Sequence, residues 1–259
     1  MPAGQHFQQF DLTGRVALVT GAGVGIGRAT ALALAAAGAT VGVHYNSSAS
    51  EAQLVLDEIH SLGGRAMLLH GDLTHEAQAD AVVDGLVAQA GHIDILVNNA
   101  GNPLTRCSLE ECPTSLWRQA FDVNVTAAFF VTRRAIPHLK PSGQGSIINN
   151  LSLSVQTGGA GGAGPYAAAK GALQVMTRTL ARELAPAVRV NAVMPGVIET
   201  RHHEVFSTPE RMADYRKQTP LARNGSAGEV AQAILFLASD ASSFVTGAII
   251  DINGGRFLR

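Results

Sequence analysis

The chain has 259 residues, 46% apolar and 15% charged, with a formal net charge of −1. That balance leaves no electrostatic footprint for nucleic acid or an anionic membrane surface, and no apolar run reaches the length of a membrane span. The first ten residues lack a basic start and an apolar core, which argues against a secretory signal. Two cysteines, Cys107 and Cys112, make neither a disulfide framework nor a zinc site. A cytoplasmic protein that binds no metal, nucleic acid or membrane is expected.

Taken in order, Arg15–Thr20 is a short apolar run of strand type, followed at once by a glycine-rich turn, Gly21 to Gly27, and by a helix over Arg28–Ala37. A strand, a glycine turn and a helix in that order form a phosphate cradle. Glycine permits the tight turn and close approach, and the helix N-terminus offers free N–H groups. Thr40–Val43 reads as a second strand, ending in His44-Tyr45-Asn46-Ser47-Ser48. In a dinucleotide fold that end meets the adenosine ribose, where an acid would bind the 2′-hydroxyl of NAD. No acid is present. The neutral donors favour NADP(H) and leave NAD(H) open, with Arg28 the one candidate clamp for a 2′-phosphate.

Further along, Glu51–Leu62 and His75–Ala90 read as helices, and Arg65–His70 and Ile93–Val97 as strands. A single long helix is expected over Pro113–Leu139, with Asn124 in its middle. Strands follow at Gly145–Asn149, Val188–Val193 and Ala248–Ile252, with a helix at Glu229–Ala238. Pro195 to about Gly225 is irregular and charged. Strands that alternate with helices and are continuously apolar indicate an α/β protein, doubly wound, with a parallel sheet of about seven strands. One domain is expected over 1–259, with an N-terminal extension over 1–12 and a substrate lid over 197–225.

Tyr166 and Lys170 open an apolar-periodic segment in which Leu173, Met176, Leu180 and Leu184 recur at three- and four-residue steps. At i and i+4 on a helix, the phenol and the ammonium share a face. A lysine cation about 4 Å away, at an effective dielectric of about 20, favours the phenolate by roughly 4 kcal/mol. The phenol would thereby fall by about three pKa units, towards working pH. Nine histidines are scattered, and adjacent His202 and His203 cannot both face one site, so no metal centre is expected.

The chain resembles the short-chain dehydrogenase/reductase family over nearly its whole length. The resemblance rests on TGAGVGIG (Thr20–Gly27), GDL (Gly71–Leu73), NNAG (Asn98–Gly101), Asn124, Ser152, YAAAK (Tyr166–Lys170), PGVIET (Pro195–Thr200) and NGG (Asn253–Gly255). It implies Tyr166 as general acid or base, Lys170 as its partner and holder of the nicotinamide ribose, and Ser152 on the substrate oxygen. Asn124 would carry a relay water. Leucines separate Ser152 from Ser154, so Ser154 remains an alternative. The resemblance further implies that Gly21, Val24, Gly25, Ile26 and Gly27 hold the pyrophosphate, and that His44, Tyr45 and Asn46 lie at the ribose. Asp72 and Leu73 would meet adenine, and Asn99, Ala100 and Gly101 the cofactor ribose. Ile198 and Thr200 would meet the carboxamide, with Pro195 and Gly196 also at the cofactor. The implied activity interconverts a small-molecule ketone and secondary alcohol, with 3-oxoacyl-carrier-protein reductases nearest at PGVIET and Leu221–Val230. Sugar and polyol dehydrogenases share such stretches, and a homotetramer is the family's usual assembly. A dinucleotide binder without chemistry would not need Asn124, Ser152, Tyr166 and Lys170 together.

Overall fold

Along β1 (Val16–Val19) the side chains alternate between two apolar cores: Ala17 and Val19 enter one, Val16 and Leu18 the other. Only a strand covered on both faces has this pattern. The computed structural model of the protein describes residues 9–200 and 208–258. Its main sheet has seven strands in the order β3-β2-β1-β4-β5-β6-β9. These are β1, β2 (Thr40–Tyr45), β3 (Arg65–His70), β4 (Ile95–Asn98), β5 (Gly145–Asn150), β6 (Val188–Pro195) and β9 (Ile249–Ile252). Every pair of neighbours is parallel.

One face is covered by α1 (Gly25–Ala36) and α2 (Ala49–Ser61), together with the helix Ala227–Ala238. The other carries α3 (Glu76–Ala90) and the helices Ala127–Leu139 and Gly164–Leu184. Leu18, Leu34, Leu86, Leu96 and Ile147 are fully buried in these layers, each contributing about 1.5–3 kcal/mol by its removal from water. The strand order reverses direction between β1 and β4, and a parallel sheet opens its binding crevice at the carboxyl ends beside such a point.

The helix expected over Pro113–Leu139 is not continuous. It divides into α4 (Thr114–Phe121), a π-turn over Asp122–Thr126 and α5 (Ala127–Leu139). A π-turn inserts one residue without ending the helix, so neither a glycine nor a proline has to mark the spot. Asn124 lies in that turn and is buried. The first helix also begins earlier than expected, at Gly25, because the last glycines of the turn already form its opening.

After β5 come the one-turn helix α6 (Ser154–Thr157) and the long α7 (Gly164–Leu184), with Pro165 in its first turn. Beyond β6, the stretch read as irregular contains more order than its composition implies. β7 (Ile198–Glu199) pairs in parallel with β8 (Gly225–Ser226), and α8 (Pro209–Lys217) lies between them, capped by the Thr208 hydroxyl. A capping box at Ser226 and Glu229 then opens α9 (Ala227–Ala238). His202, His203 and part of the expected lid lie outside the described residues.

Candidate active site

The glycine turn is built by close approach. A β-carbon at Gly27 would fall 2.1 Å from the Gly21 carbonyl oxygen, and one at Gly21 would fall 3.1 Å from Ala100 Cα. Gly21 and Gly25 also take positive φ angles of 63° and 55°, which favour glycine. The turn delivers the start of α1 to the cleft, and the N-cap residue Val24 has no side-chain acceptor for the first N–H groups. An open helix N-terminus of that kind suits an anionic phosphate, so these residues fit a dinucleotide. Gly27→Ala is therefore expected to weaken NADPH binding at least tenfold, read by nicotinamide fluorescence. Unchanged affinity would show that the turn does not hold the pyrophosphate.

Asn99 fastens the turn to β4. Its Nδ2 donates to the carbonyls of Thr20 at 2.9 Å and Gly21 at 3.1 Å, and its Oδ1 accepts from Asn150 Nδ2 at 2.9 Å. The Thr20 hydroxyl accepts from the backbone N–H groups of Asn99 and Ala100. Deeper in the sheet, Asn98 Nδ2 donates to Thr132 Oγ1 and Asn149 Oδ1, and Asn149 Nδ2 donates to Thr177 Oγ1. These buried bonds tie β4 and β5 to the helices behind them and make a rigid floor. Sequence reasoning missed Thr20, Asn149 and Asn150. The available signal was a pair of asparagines ending each of two apolar strands.

The sequence expectation of His44 as a donor towards the ribose is corrected by the structure. The Gly21 N–H donates to His44 Nδ1 at 3.0 Å, and His44 Nε2 lies 3.0 Å from the Gly71 carbonyl, which can only accept. The ring is therefore neutral with its proton on Nε2, and both nitrogens are engaged within the fold. Burial holds its pKa below the usual histidine value, against the opposing Gly71 contact. His44 positions the glycine turn and offers no free donor. Arg28, the candidate phosphate clamp, is paired with Glu58. Tyr45, Asn46, Ser47 and Ser48 line this end of the cleft instead. Asp72, the expected adenine neighbour, directs its carboxylate to the Thr74 backbone N–H and hydroxyl, which hold its pKa down.

Tyr166, Lys170 and Ser152 stand together on the cleft wall. Ser152 is the serine that acts on the Tyr166 phenol, its hydroxyl drawing the phenol's pKa down, whereas the Ser154 hydroxyl donates to Ser152 Oγ at 2.9 Å. The expected lowering of the phenol is absent. Tyr166 is half-buried, and desolvation of its hydroxyl pushes it up to about 12, with the Ser152 bond acting the other way. Lys170 shares the helix face but directs its ammonium to the Asn150 carbonyl at 2.7 Å, 5.9 Å from the Tyr166 ring centroid. Burial lowers Lys170 itself to about 8. The simple Coulomb argument failed because it omitted the cost of removing both charges from water.

Every expected catalytic and cofactor-binding residue except Asn124 and the candidate clamp Arg28 lines one cleft of about 970 Å³. Asn124 lies behind the wall. Its Oδ1 accepts from the Asn102 N–H at 3.0 Å, and its Nδ2 donates to the carbonyls of Asn102 at 2.8 Å and Ala120 at 2.9 Å. Gly101 shows why it is there: a β-carbon at that residue would lie 2.7 Å from Asn124 Oδ1 and 3.1 Å from Lys170 Nζ. The side-chain amide fixes the wall against which Lys170 rests.

Comparison with known proteins agrees with this architecture. A family model described as "Enoyl-(Acyl carrier protein) reductase", of the short-chain alcohol dehydrogenase type, matches residues 21–256. The chain is 40% identical over 245 residues to "Uncharacterized oxidoreductase YgfF" of Escherichia coli (strain K12), covering 93% of this chain and 99% of that protein. It is 38% identical over 200 residues to a cyclopentanol dehydrogenase of Comamonas sp. (strain NCIMB 9872), covering 76% and 79% of the two chains. A solved 7α-hydroxysteroid dehydrogenase, complexed with NADH and 7-oxo glycochenodeoxycholic acid, superposes with a TM-score of 0.91 at 35% identity, covering 95% and 96%. The chain belongs to the short-chain dehydrogenase/reductase family. As a member it is an NAD(P)-dependent oxidoreductase that acts on alcohols and ketones. No helix among the described residues is long and apolar enough to cross a membrane, and no cluster of metal-ligating side chains is found among them.

Proposed function

We propose that this short-chain dehydrogenase/reductase interconverts a ketone and a secondary alcohol with NADP(H), using Tyr166 as general acid in reduction and general base in oxidation. The observation that carries the reading is the placement of the Ser152–Tyr166 pair in the same cleft as the open start of α1. A bound nicotinamide supplies or takes up the hydride.

The chain's own groups manage the oxygen and its proton. Ser152 can hold a carbonyl oxygen next to the phenol. Tyr166, raised to about 12, keeps its proton at neutral pH and donates it as negative charge develops on that oxygen. Lys170 keeps a positive charge below about pH 8 at the base of the pair, where it stabilises the phenolate left by proton transfer. Asn124 acts at one remove, by holding the Gly101–Asn102 wall.

The end of β2 supports NADP(H). Asn46, Ser47 and Ser48 follow Tyr45 with no carboxylate among them to repel a 2′-phosphate. The relative solved with NADH shows only that a nicotinamide is bound in the family. The test is fluorescence titration with NADPH and NADH of wild type and Asn46→Asp, a variant that leaves the His44 ring undisturbed. We expect NADPH to bind about tenfold tighter in the wild type, and the aspartate to narrow or reverse the preference through like-charge repulsion. Tighter NADH binding by the wild type would overturn the assignment.

A further inference from the structure

The geometry points to a carboxylate-binding subsite, made by Arg106, Arg211 and Arg256, that selects oxo acids and their hydroxy-acid counterparts as substrates. This deepens the ketone–alcohol reading and rests on it. The three arginines come from segments following β4, β6 and β9, and all line the active-site cleft. They therefore lie over the half of the sheet away from β2, where the ribose pocket is.

They converge in two steps. Arg106 Nη1 donates to the Gly161 carbonyl at 3.1 Å, and a β-carbon on Gly161 would lie 2.8 Å from Arg211 Nη2 and 3.7 Å from Arg106 Nη1. Two guanidinium groups thus meet at one glycine on the loop that leads into Tyr166. The second step runs through Tyr215. Arg211 Nε donates to its hydroxyl at 2.6 Å, and the Arg256 guanidinium carbon stands 4.5 Å from its ring centroid. Arg256 is held below its usual pKa by burial, with Arg211 pushing in the same direction and Tyr215 opposing.

Among the described residues, no carboxylate lies within ion-pairing distance of any of the three. The nearby acids are engaged elsewhere. Asp214 pairs with Lys217, Glu199 faces Arg216, and Glu210 is held by the first turn of α8. Arg211 and Arg256 are half-buried and share one tyrosine, an arrangement that like charges oppose and an anion relieves. The guanidinium fork is well suited to a carboxylate. Because the same cleft holds Tyr166, the anion is the far end of the molecule whose carbonyl meets the phenol.

The test compares 4-oxopentanoate with methyl 4-oxopentanoate, which share the ketone and differ at the far end, where a neutral methyl ester replaces the carboxylate. It uses wild type, Arg211→Gln and Arg256→Gln, with thermal unfolding to confirm that each variant is folded. The ratio of kcat/KM for acid over ester should exceed about ten in the wild type, as desolvated ion pairs allow, and fall towards one in the variants, mainly through KM. Glutarate is titrated calorimetrically into each protein saturated with NADPH, so that the nucleotide site is filled. Glutarate binding by the wild type that weakens at least tenfold in both variants supports the subsite even without turnover. In that case, failure to reduce either ketone counts against the ketone–alcohol reading and not against the subsite. Equal use of acid and ester by the wild type, or glutarate binding absent or unaffected by the substitutions, overturns the subsite and leaves the reductase reading standing.

Discussion

Tyr166→Phe is expected to lower kcat for ketone reduction by about three orders of magnitude, within the range typical of a lost general acid. The substitution removes one hydroxyl and keeps the ring, so the packing of α7 survives and its thermal midpoint should shift by only a few degrees. The hydroxyl matters because it shares the cleft wall with Ser152 and, at about 12, is a neutral donor throughout the neutral range. Its high pKa makes the two directions respond differently to pH. Reduction uses the protonated phenol, so its kcat/KM should be flat from about pH 6 to 8. Oxidation requires proton loss, so its kcat/KM should climb with pH, by up to about tenfold per unit while the phenol is mostly protonated. A phenylalanine variant that retains a tenth or more of the wild-type reduction rate would remove Tyr166 from the chemistry.

Legibility in the sequence followed the local rules closely and stopped where long-range contacts decide. The strand–glycine–helix unit at β1 and α1 is local, and its spacing is set by backbone sterics that sequence displays directly. The doubly wound parallel sheet was likewise visible in the alternation of elements. His44 was misread because its surroundings come from distant chain. Gly42 and His44 share a face of β2, and what lies against the ring is Gly21 on one side and Gly71 on the other. A donor at a strand end looks available until those two partners are known. The π-turn at Asn124 was hidden for a different reason. Asp122–Thr126 has ordinary helical spacing, and the extra residue shows only in the backbone bond from the Ala127 N–H to the Asp122 carbonyl. The arginine cluster is not legible in the sequence, because its members are separated by 105 and 45 positions in the chain and only the cleft brings them together.

Lys170→Met is expected to remove activity while making the cofactor-free protein more stable at pH 7. Lys170 is 2% exposed, and the Asn150 carbonyl is the hydrogen-bond acceptor for its ammonium. Burial lowers its pKa from an ordinary 10.5 to about 8. The unfolded chain therefore binds more protons than the folded one between those values, and stability rises with pH across that window. Below about 8 the lysine is charged in both states and the penalty is complete. At about 1.36 kcal/mol per pH unit it amounts to roughly 3 kcal/mol. Methionine fills similar volume without the charge but forfeits the bond to Asn150, a loss of about 1–2 kcal/mol. A net gain of about 1–2 kcal/mol should remain. Urea unfolding at pH 7 and at pH 10.5 reads this as a difference between variant and wild type, in which other titrating groups cancel. The advantage of the variant should shrink at the higher pH, where the wild-type lysine is largely neutral when folded. Equal or lower stability of the methionine variant at pH 7 would mean that the buried ammonium is solvated well enough to carry no penalty. Retention of reductase activity by a folded methionine variant would separate Lys170 from the proton transfer at Tyr166. If activity is lost while stability rises, the cationic side chain is held in the fold for catalysis at the expense of stability.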